Sequence, residues 1–425
     1  MKVMVLGAGV VGVTSAWYLA EDGHEVTVVD RRPGAGLETT FANGGQISVS
    51  QAEPWSNPAA PAKILKWLGD EQAPLLFRPM LSPRQWRWGA QFLYECLPGR
   101  TRDNTVQILR LAIYSGAQLR LLREKTGVRY DHLERGILQL YYDASEFEAA
   151  KQRALLIRVG GLDLQVKTAR ECIDIEPALA HGKVQPVGGT YAPSDESGDA
   201  HLFTRNLAEI CARRGVQFRY GVAVERLEVD QGRVTGVQVR TEGSASDLVQ
   251  TDAVLVCLGT WTPFLLEALR IRVPIYPVKG YSVTLPVARP DRAPTVCLTD
   301  EGHKLAISRL GERLRVAGTA ELTGYDTSIS AIRCNALIER AKVLFPDAVD
   351  FDQAERWAGL RPATPGNVPV IGRTRCSNLF VNAGHGTLGW TLCAGSGRAI
   401  ADIIAGRTPA VDFRFRQRAA DGLTR

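Results

Sequence analysis

The stretch KVMVLGAGVVGVTSAWYLAEDGHEVTVVD, residues 2–30, leaves a folding chain the fewest choices. Apolar residues 3–6 predict a buried strand, and the spacing Gly7-x-Gly9-x-x-Gly12 predicts a tight turn into a helix. Gly23 ends that helix, and a second apolar strand closes on Asp30. Strand, helix and strand in this order form the βαβ unit of a parallel sheet. Gly7 allows the sharp turn, Gly9 lets a pyrophosphate approach the backbone, and Gly12 packs helix on strand. Val3, Ala8, Val10 and Val11 surround them, and the helix N-terminus offers N–H groups to phosphates. Asp30, 18 residues beyond Gly12, is spaced for a ribose hydroxyl. An acidic residue there serves NAD and FAD alike. Arg31 and Arg32 hint at a 2′-phosphate, but Asp30 would repel it, so NADP ranks last.

The next segment separates the two remaining dinucleotides. RRPGAGLETTFANGGQIS, residues 31–48, is Gly-rich and carries Thr39, Thr40, Asn43, Gly44, Gly45 and Gln46 directly after the ribose position. A small polar loop there suits the longer FAD. Near the other end, NAGHGTLGWTLCAGSG, residues 382–397, holds five glycines, a density expected where backbone lies against something other than protein.

Length and composition bound the rest. The 425 residues suit two domains with separate cores. A net charge of +6 from mixed charges suits a mildly basic surface, not a nucleic-acid binder. The eight cysteines form no C-x-x-C pair and no His cluster accompanies them, which predicts reduced thiols, a cytoplasmic setting and no metal. No cleavage site precedes the glycine turn and no apolar run reaches a spanning helix, so export and membrane spanning are not expected. Residues 52–100 are Pro- and Trp-rich, with Trp55, Trp67, Trp86 and Trp88. Arg84 and Arg87 flank the last two, leaving open peripheral contact with the inner face of the cell membrane or a buried pocket wall.

Farther along, residues 103–125 show helical spacing through Val106, Leu109, Ile113 and Leu121. Thr168 with Glu171 forms a capping box, and Gln231 with Gly232 a hairpin turn. Val224 lies in that hairpin, and Gly259 ends an apolar strand that can approach the nucleotide. Residues 275–322 alternate as an antiparallel sheet. The expected fold is α/β: a Rossmann-like FAD-binding domain (1–54, 190–260 and 355–425) interleaved with an antiparallel-sheet α+β substrate domain (55–189 and 261–354).

The blocks VVGVTSAWYL, FANGGQIS, YPVKGYSVTLP, GLRPATPGNVPVIGRT and GHGTLGWT, in this order, resemble the D-amino acid oxidase superfamily of FAD enzymes end to end. Within it they are most similar to the smaller subunit of a bacterial dehydrogenase branch acting on D-amino acids. Gly44 stands where that branch usually has alanine, which leaves the substrate range open. The resemblance implies noncovalent FAD, with Gly384, Gly386, Thr387, Leu388 and Gly389 beside the flavin. A helix starting near Leu388 would aim its positive end at the ring. It also implies hydride transfer from the substrate Cα, giving a 2-oxo acid and ammonia. A quinone or respiratory acceptor and a second subunit are the implied partners.

Arg361 matches the superfamily's substrate arginine, and its guanidinium fork suits a carboxylate. Tyr281 and Tyr325 are candidates for the pocket or for the core, His385 for the flavin face or a structural bond, and Lys279 for holding a water. Two other readings stay open: a related amine or imino-acid oxidase acting on D-proline-type or N-methylated substrates, and a flavin-binding structural subunit.

Overall fold

The computed structural model describes residues 1–67, 69–71, 73–159 and 162–416, so the last part of the segment 355–425, residues 417–425, lies outside the described residues. The strand Lys2–Leu6 is central to a six-stranded sheet. Its neighbours run Val370–Arg373, Leu379–Ala383, Ala253–Val256, Lys2–Leu6, Glu25–Asp30 and Gln217–Tyr220, all parallel except the first. The three middle strands are nearly all apolar because helices and loops cover both faces. Helices Val10–Glu21, Ala200–Arg213 and Gly389–Ile404 share one core with this sheet.

The second sheet has nine strands. Along its main path lie Glu355–Ala363, Tyr276–Pro286, Arg313–Leu322, Leu305–Leu310, Cys297–Asp300, Ile137–Tyr141, Gly188–Ala192 and Gln165–Thr168, with Leu75–Phe77 beside Arg313–Leu322. The region 275–322 is antiparallel as expected. The sheet as a whole is mixed, because Cys297–Asp300 pairs in parallel with Ile137–Tyr141 and Leu75–Phe77 with Arg313–Leu322. Gln46–Ile47 and Glu196–Ser197 pair as a separate two-stranded sheet.

Two expectations change. The helix read at 103–125 runs Pro98–Thr126, and it packs on the nucleotide-side core against Gly389–Ile404, not on the second sheet. Its buried stripe is Ile108, Leu111, Ala112, Ser115, Leu119 and Leu122, whereas Val106, Ile113 and Leu121 are exposed. Small residues decide the face. A Cβ on Gly395 would press into the backbone of Ser115, so the helices approach where side chains are shortest. Gly395 and Gly397 of the C-terminal run therefore contact protein, Gly397 against Thr14 and Ser15.

Candidate active site

A cavity of about 1190 Å³ lies between the two sheets, larger than the usual pocket for one drug-sized ligand (roughly 300–1,000 Å³). At its nucleotide end it is lined by Gly7, Gly9, Val10, Val11, Asp30 and Arg31. Gly7 takes φ +107°, open to glycine, and a Cβ on Gly12 would overlap the Gly7 carbonyl oxygen. Gly9 differs: its Cβ would meet only Thr40 Oγ1, at 3.7 Å. Gly12 is therefore required by the protein, while the space before Gly9 is free for a ligand.

The Asp30 carboxylate accepts from Ala8 N at 2.7 Å and Arg32 N at 2.8 Å, which fixes it at the cavity edge; burial raises its pKa. One helix N–H expected to be free is taken, because Val10 N donates to Thr40 Oγ1 at 3.2 Å. Arg31 and Arg32 both pair with Glu38, and Arg31 lies over the Trp261 ring at 4.4 Å. Glu38 occupies the arginines that could have read a 2′-phosphate.

The cavity continues past Thr39, Thr40, Asn43, Gly44, Gly45 and Gln46, then Val224 and Gly259, to Gly384, Gly386, Thr387, Leu388 and Gly389. Val3, Ala8 and Gly12 stand behind that lining. Thr39 donates to Leu360 O at 2.6 Å and Asn43 accepts from Gly45 N at 2.9 Å, so both side chains shape the loop. Gln46 Nε2 reaches Thr299 Oγ1 at 2.9 Å on the second sheet. The glycine turn, the placed carboxylate and the free space before Gly9 fit an FAD. The lining residues from Gly7 to Gly389 named above are those that would hold it.

Arg361, on the edge strand, is part-buried and lines the cavity. Its Nη1 donates to Thr319 O at 2.9 Å, the remaining contacts being to Lys279 O and Gly318 O at 3.5 Å, with the Trp55 ring 5.9 Å away. No acidic side chain pairs with it among the described residues. Desolvation, followed by the nearby Arg333 charge, pushes its pKa down to about 10. A Cβ on Gly280 would overlap the guanidinium, so that glycine makes the room it occupies. Thr319 sits at φ +54°, a rare conformation for a β-branched residue that costs about 1–3 kcal/mol, and its carbonyl is the best acceptor for Arg361.

The other candidates do not gather around Arg361. Tyr281 borders the cavity, but its hydroxyl donates to Glu321 at 2.6 Å within the core behind the sheet, where burial and Glu321 raise its pKa. Neighbouring Lys279 is also buried, donating to Asp326 at 2.8 Å. Tyr325 bonds Thr260 O at 2.9 Å and packs on Trp261 and Phe264, one layer outside the cavity; burial pushes its pKa up to about 12. His385 does line the cavity, but its Nε2 sits 3.1 Å from Ser396 Oγ and burial pulls its pKa down to about 3, so it is neutral at working pH. Strand alternation explains Lys279 and Tyr281, since Gly280 between them faces the cavity.

Sequence reading missed Thr319, Gly280 and Asp195. Asp195 accepts from Val49 N, Ser50 N and Ser50 Oγ at 2.9, 3.2 and 2.5 Å, pinning the chain just beyond Gln46. Burial raises its pKa to about 6 despite those bonds. Its only sequence signal was a polar loop, APSDESGD. The pocket-wall alternative holds for three of the four tryptophans: Trp88 is buried with its Nε1 on Ala363 O, and Trp55 and Trp67 line the cavity, whereas Trp86 is exposed.

A family model described as FAD dependent oxidoreductase matches residues 2–403. A D-amino acid dehydrogenase of Dechloromonas aromatica is 52% identical over 415 residues, 98% of this chain and 99% of that protein. One from Paramagnetospirillum magneticum is 51% identical, covering 97% of each. Among solved structures, glycine oxidase from Bacillus cereus shares the fold with a TM-score of 0.71 at 24% identity, covering 95% of each chain.

Proposed function

The chain belongs to the FAD-dependent oxidoreductase family, and from that premise we propose that it is a D-amino acid dehydrogenase. It oxidises D-amino acids such as D-alanine to 2-oxo acids and ammonia, with a quinone as electron acceptor. The observation that carries this reading is Arg361: a cavity-facing guanidinium whose hydrogen bonds among the described residues are all to main-chain carbonyls. A desolvated cation in that state has strong use for an anion, and a carboxylate matches its fork.

Bound FAD supplies the acceptor for the hydride that leaves the substrate Cα. Arg361 takes the carboxylate, with Gly280 and the Thr319 carbonyl fixing the guanidinium plane. His385, neutral and tied to Ser396, shapes the wall without moving a proton. Tyr281 and Tyr325 are positioned for structure and not for contact with substrate. The quinone acceptor and a peripheral seat at a membrane are supported by the relatives' dehydrogenase names and by the helix Pro83–Glu95. It buries Gln85, Trp88 and Phe92 and turns Trp86, Leu93 and Tyr94 outward. No helix among the described residues is long and apolar enough to cross a membrane.

The test is anaerobic reduction of the holoenzyme with D-alanine, then stopped-flow mixing with either oxygen or a soluble quinone analogue. Reoxidation much faster by quinone supports the reading. Equal rates with accumulating hydrogen peroxide make the protein an oxidase, and no reduction by any D-amino acid removes the substrate assignment.

A further inference from the structure

Around the Arg361 guanidinium, glycine and threonine stand the opposite way round from what the backbone alone asks. Gly280, Gly318 and Gly359 lie on the three neighbouring strands there, and none of them has a left-handed φ. They are glycines for want of room: a Cβ on Gly280 would enter the guanidinium, one on Gly318 the Leu305 side chain, and one on Gly359 the Trp357 ring. Thr319 is the reverse case. Its φ of +54° is one that glycine adopts freely, yet a side chain stands there. Of the six described non-glycine residues with positive φ, it alone is β-branched. Holding the Thr319 carbonyl against Arg361 needs only backbone, which glycine would supply with less strain. The side chain therefore calls for a separate reason.

Thr319 is half-buried and lines the cavity, but its Oγ1 is closed off from water and has no hydrogen-bond partner among the described residues. A buried hydroxyl without a partner is unfavourable, and an acceptor brought by a ligand removes the cost. A turn of about 120° around χ1 exchanges the positions on Cβ and carries the hydroxyl to the cavity. The reach suits a carboxylate. The Thr319 carbonyl oxygen is 2.9 Å from Arg361 Nη1, and covalent geometry keeps Oγ1 within about 5 Å of that oxygen, so within roughly 8 Å of the guanidinium. A carboxylate with a hydrogen bond at each end spans about that distance. Nη1 is committed to Thr319 O, while Nη2 has only a 3.5 Å contact to Gly318 O. An incoming carboxylate meets the Nη2 side of the fork and keeps lone pairs for a further donor.

We propose that the Thr319 hydroxyl is a second ligand of the substrate carboxylate, donating to it beside Arg361. The inference rests on the amino acid dehydrogenase reading above and adds a substrate-binding residue to it. No proton is transferred from the hydroxyl. The carboxylate is unchanged during hydride transfer, so the bond strengthens ground state and transition state alike and acts on KM, not on the rate of the chemical step.

The experiment uses the holoenzyme and four variants: Thr319→Val, Thr319→Ser, Thr319→Gly and, as control, Arg361→Leu. Two quantities are read from anaerobic flavin reduction. One is the D-alanine concentration giving half the limiting rate; the other is the inhibition constant of propionate, which keeps the carboxylate and lacks the amine. Thr319→Val is expected to raise both about tenfold, the low end for a hydrogen bond to a charged group, with the limiting rate within twofold. Thr319→Ser keeps the hydroxyl and should stay within twofold of wild type. Thr319→Gly removes hydroxyl and strain together and should bind both ligands as weakly as Thr319→Val. Should Thr319→Val fail to load FAD, the serine and glycine variants decide in the same way. The proposal is overturned if Thr319→Val or Thr319→Gly binds both ligands as wild type does. It is overturned also if D-alanine binding falls and propionate binding does not, which would place the hydroxyl on the amine. Weakened binding of both ligands in Arg361→Leu with insensitive Thr319 variants removes the inference alone. If Arg361→Leu changes neither constant, or no D-amino acid reduces the wild-type flavin, the carboxylate-site reading itself has failed and the inference falls with it.

Discussion

The two walls of the cavity are built by different means. The nucleotide wall comes mainly from one stretch of chain, residues 7–46, completed by Val224, Gly259 and residues 384–389, and is made mostly of backbone: a glycine turn, a helix start and a loop held by Thr39, Thr40 and Asn43. The wall opposite is made of side chains and carbonyls gathered from Lys279, Gly280, Gly318, Thr319 and Arg361 on three strands. Backbone fitted against backbone has no slack, because no rotamer can yield. A guanidinium on four torsions can shift. Damage to the first wall is therefore expected to be all-or-none, and damage to the second graded.

The largest effects test the first wall and can divide it further. Gly12→Ala puts a methyl group on the Gly7 carbonyl oxygen, so the helix Val10–Glu21 must leave its strand. The expected result is a poorly folded, colourless protein, read from its circular dichroism and its flavin absorbance. Gly9→Val meets no protein atom closer than the Thr40 hydroxyl, so it should fold normally and still lose FAD. If Gly9→Val loads flavin fully, the pyrophosphate does not lie where the turn suggests.

The second wall should yield by degrees. Arg361→Leu removes a charge-assisted pair worth about 1.5–3 kcal/mol, one to two orders of magnitude in KM for D-alanine, with FAD content unchanged. Gly280→Ala displaces the guanidinium without deleting it, so its KM should rise by less, severalfold. Should Gly280→Ala abolish turnover as Gly12→Ala abolishes folding, the contrast between rigid and yielding walls is wrong.

The same difference explains what could be read before the structure. Gly7, Gly9, Gly12 and Asp30 form a contiguous pattern whose spacing is set by one turn and one helix, so the βαβ unit was legible residue by residue. Arg361 stood out through its resemblance block, but the residues that seat it did not. Gly280 meets it because Val278 pairs with Arg361 across two strands, and Thr319 because a register shift between Lys279 and Tyr281 turns the neighbouring strand. Register over some 80 residues leaves no local trace. Tyr281 shows the cost: it stands one residue from Gly280, and strand alternation sends it into the core. The long helix was legible as a helix while its buried face was not, since Ala112, Ser115 and Gly116 share its packing with Ile108, Leu111, Leu119 and Leu122 and a hydrophobic count passes over them.

Asp195 stands where the walls meet, and it offers the smallest effect on turnover with a clear sign in stability. It holds residues 49 and 50 next to the strand pair Gln46–Ile47 and Glu196–Ser197. Burial lifts its pKa from 3.8 to about 6, more than its three hydrogen-bond donors offset. In the unfolded chain the carboxyl ionises first, so between about pH 4 and pH 6 the folded state binds more protons. Native stability from this group is complete below pH 4 and is lost as pH rises through 6, the reverse of a salt-bridged aspartate. Asp195→Asn removes the titration and keeps a neutral side chain of the same shape. Relative to wild type, the variant should gain about 1–3 kcal/mol between pH 4 and pH 8, at about 1.4 kcal/mol per pKa unit. Denaturant unfolding of both proteins across that range measures the gap, and flavin reduction by D-alanine should stay unchanged throughout. Parallel stability curves would mean that Asp195 is ionised in the native protein at every pH tested. The junction would then be held by a full charge, and it would belong with the rigid wall instead of between the two.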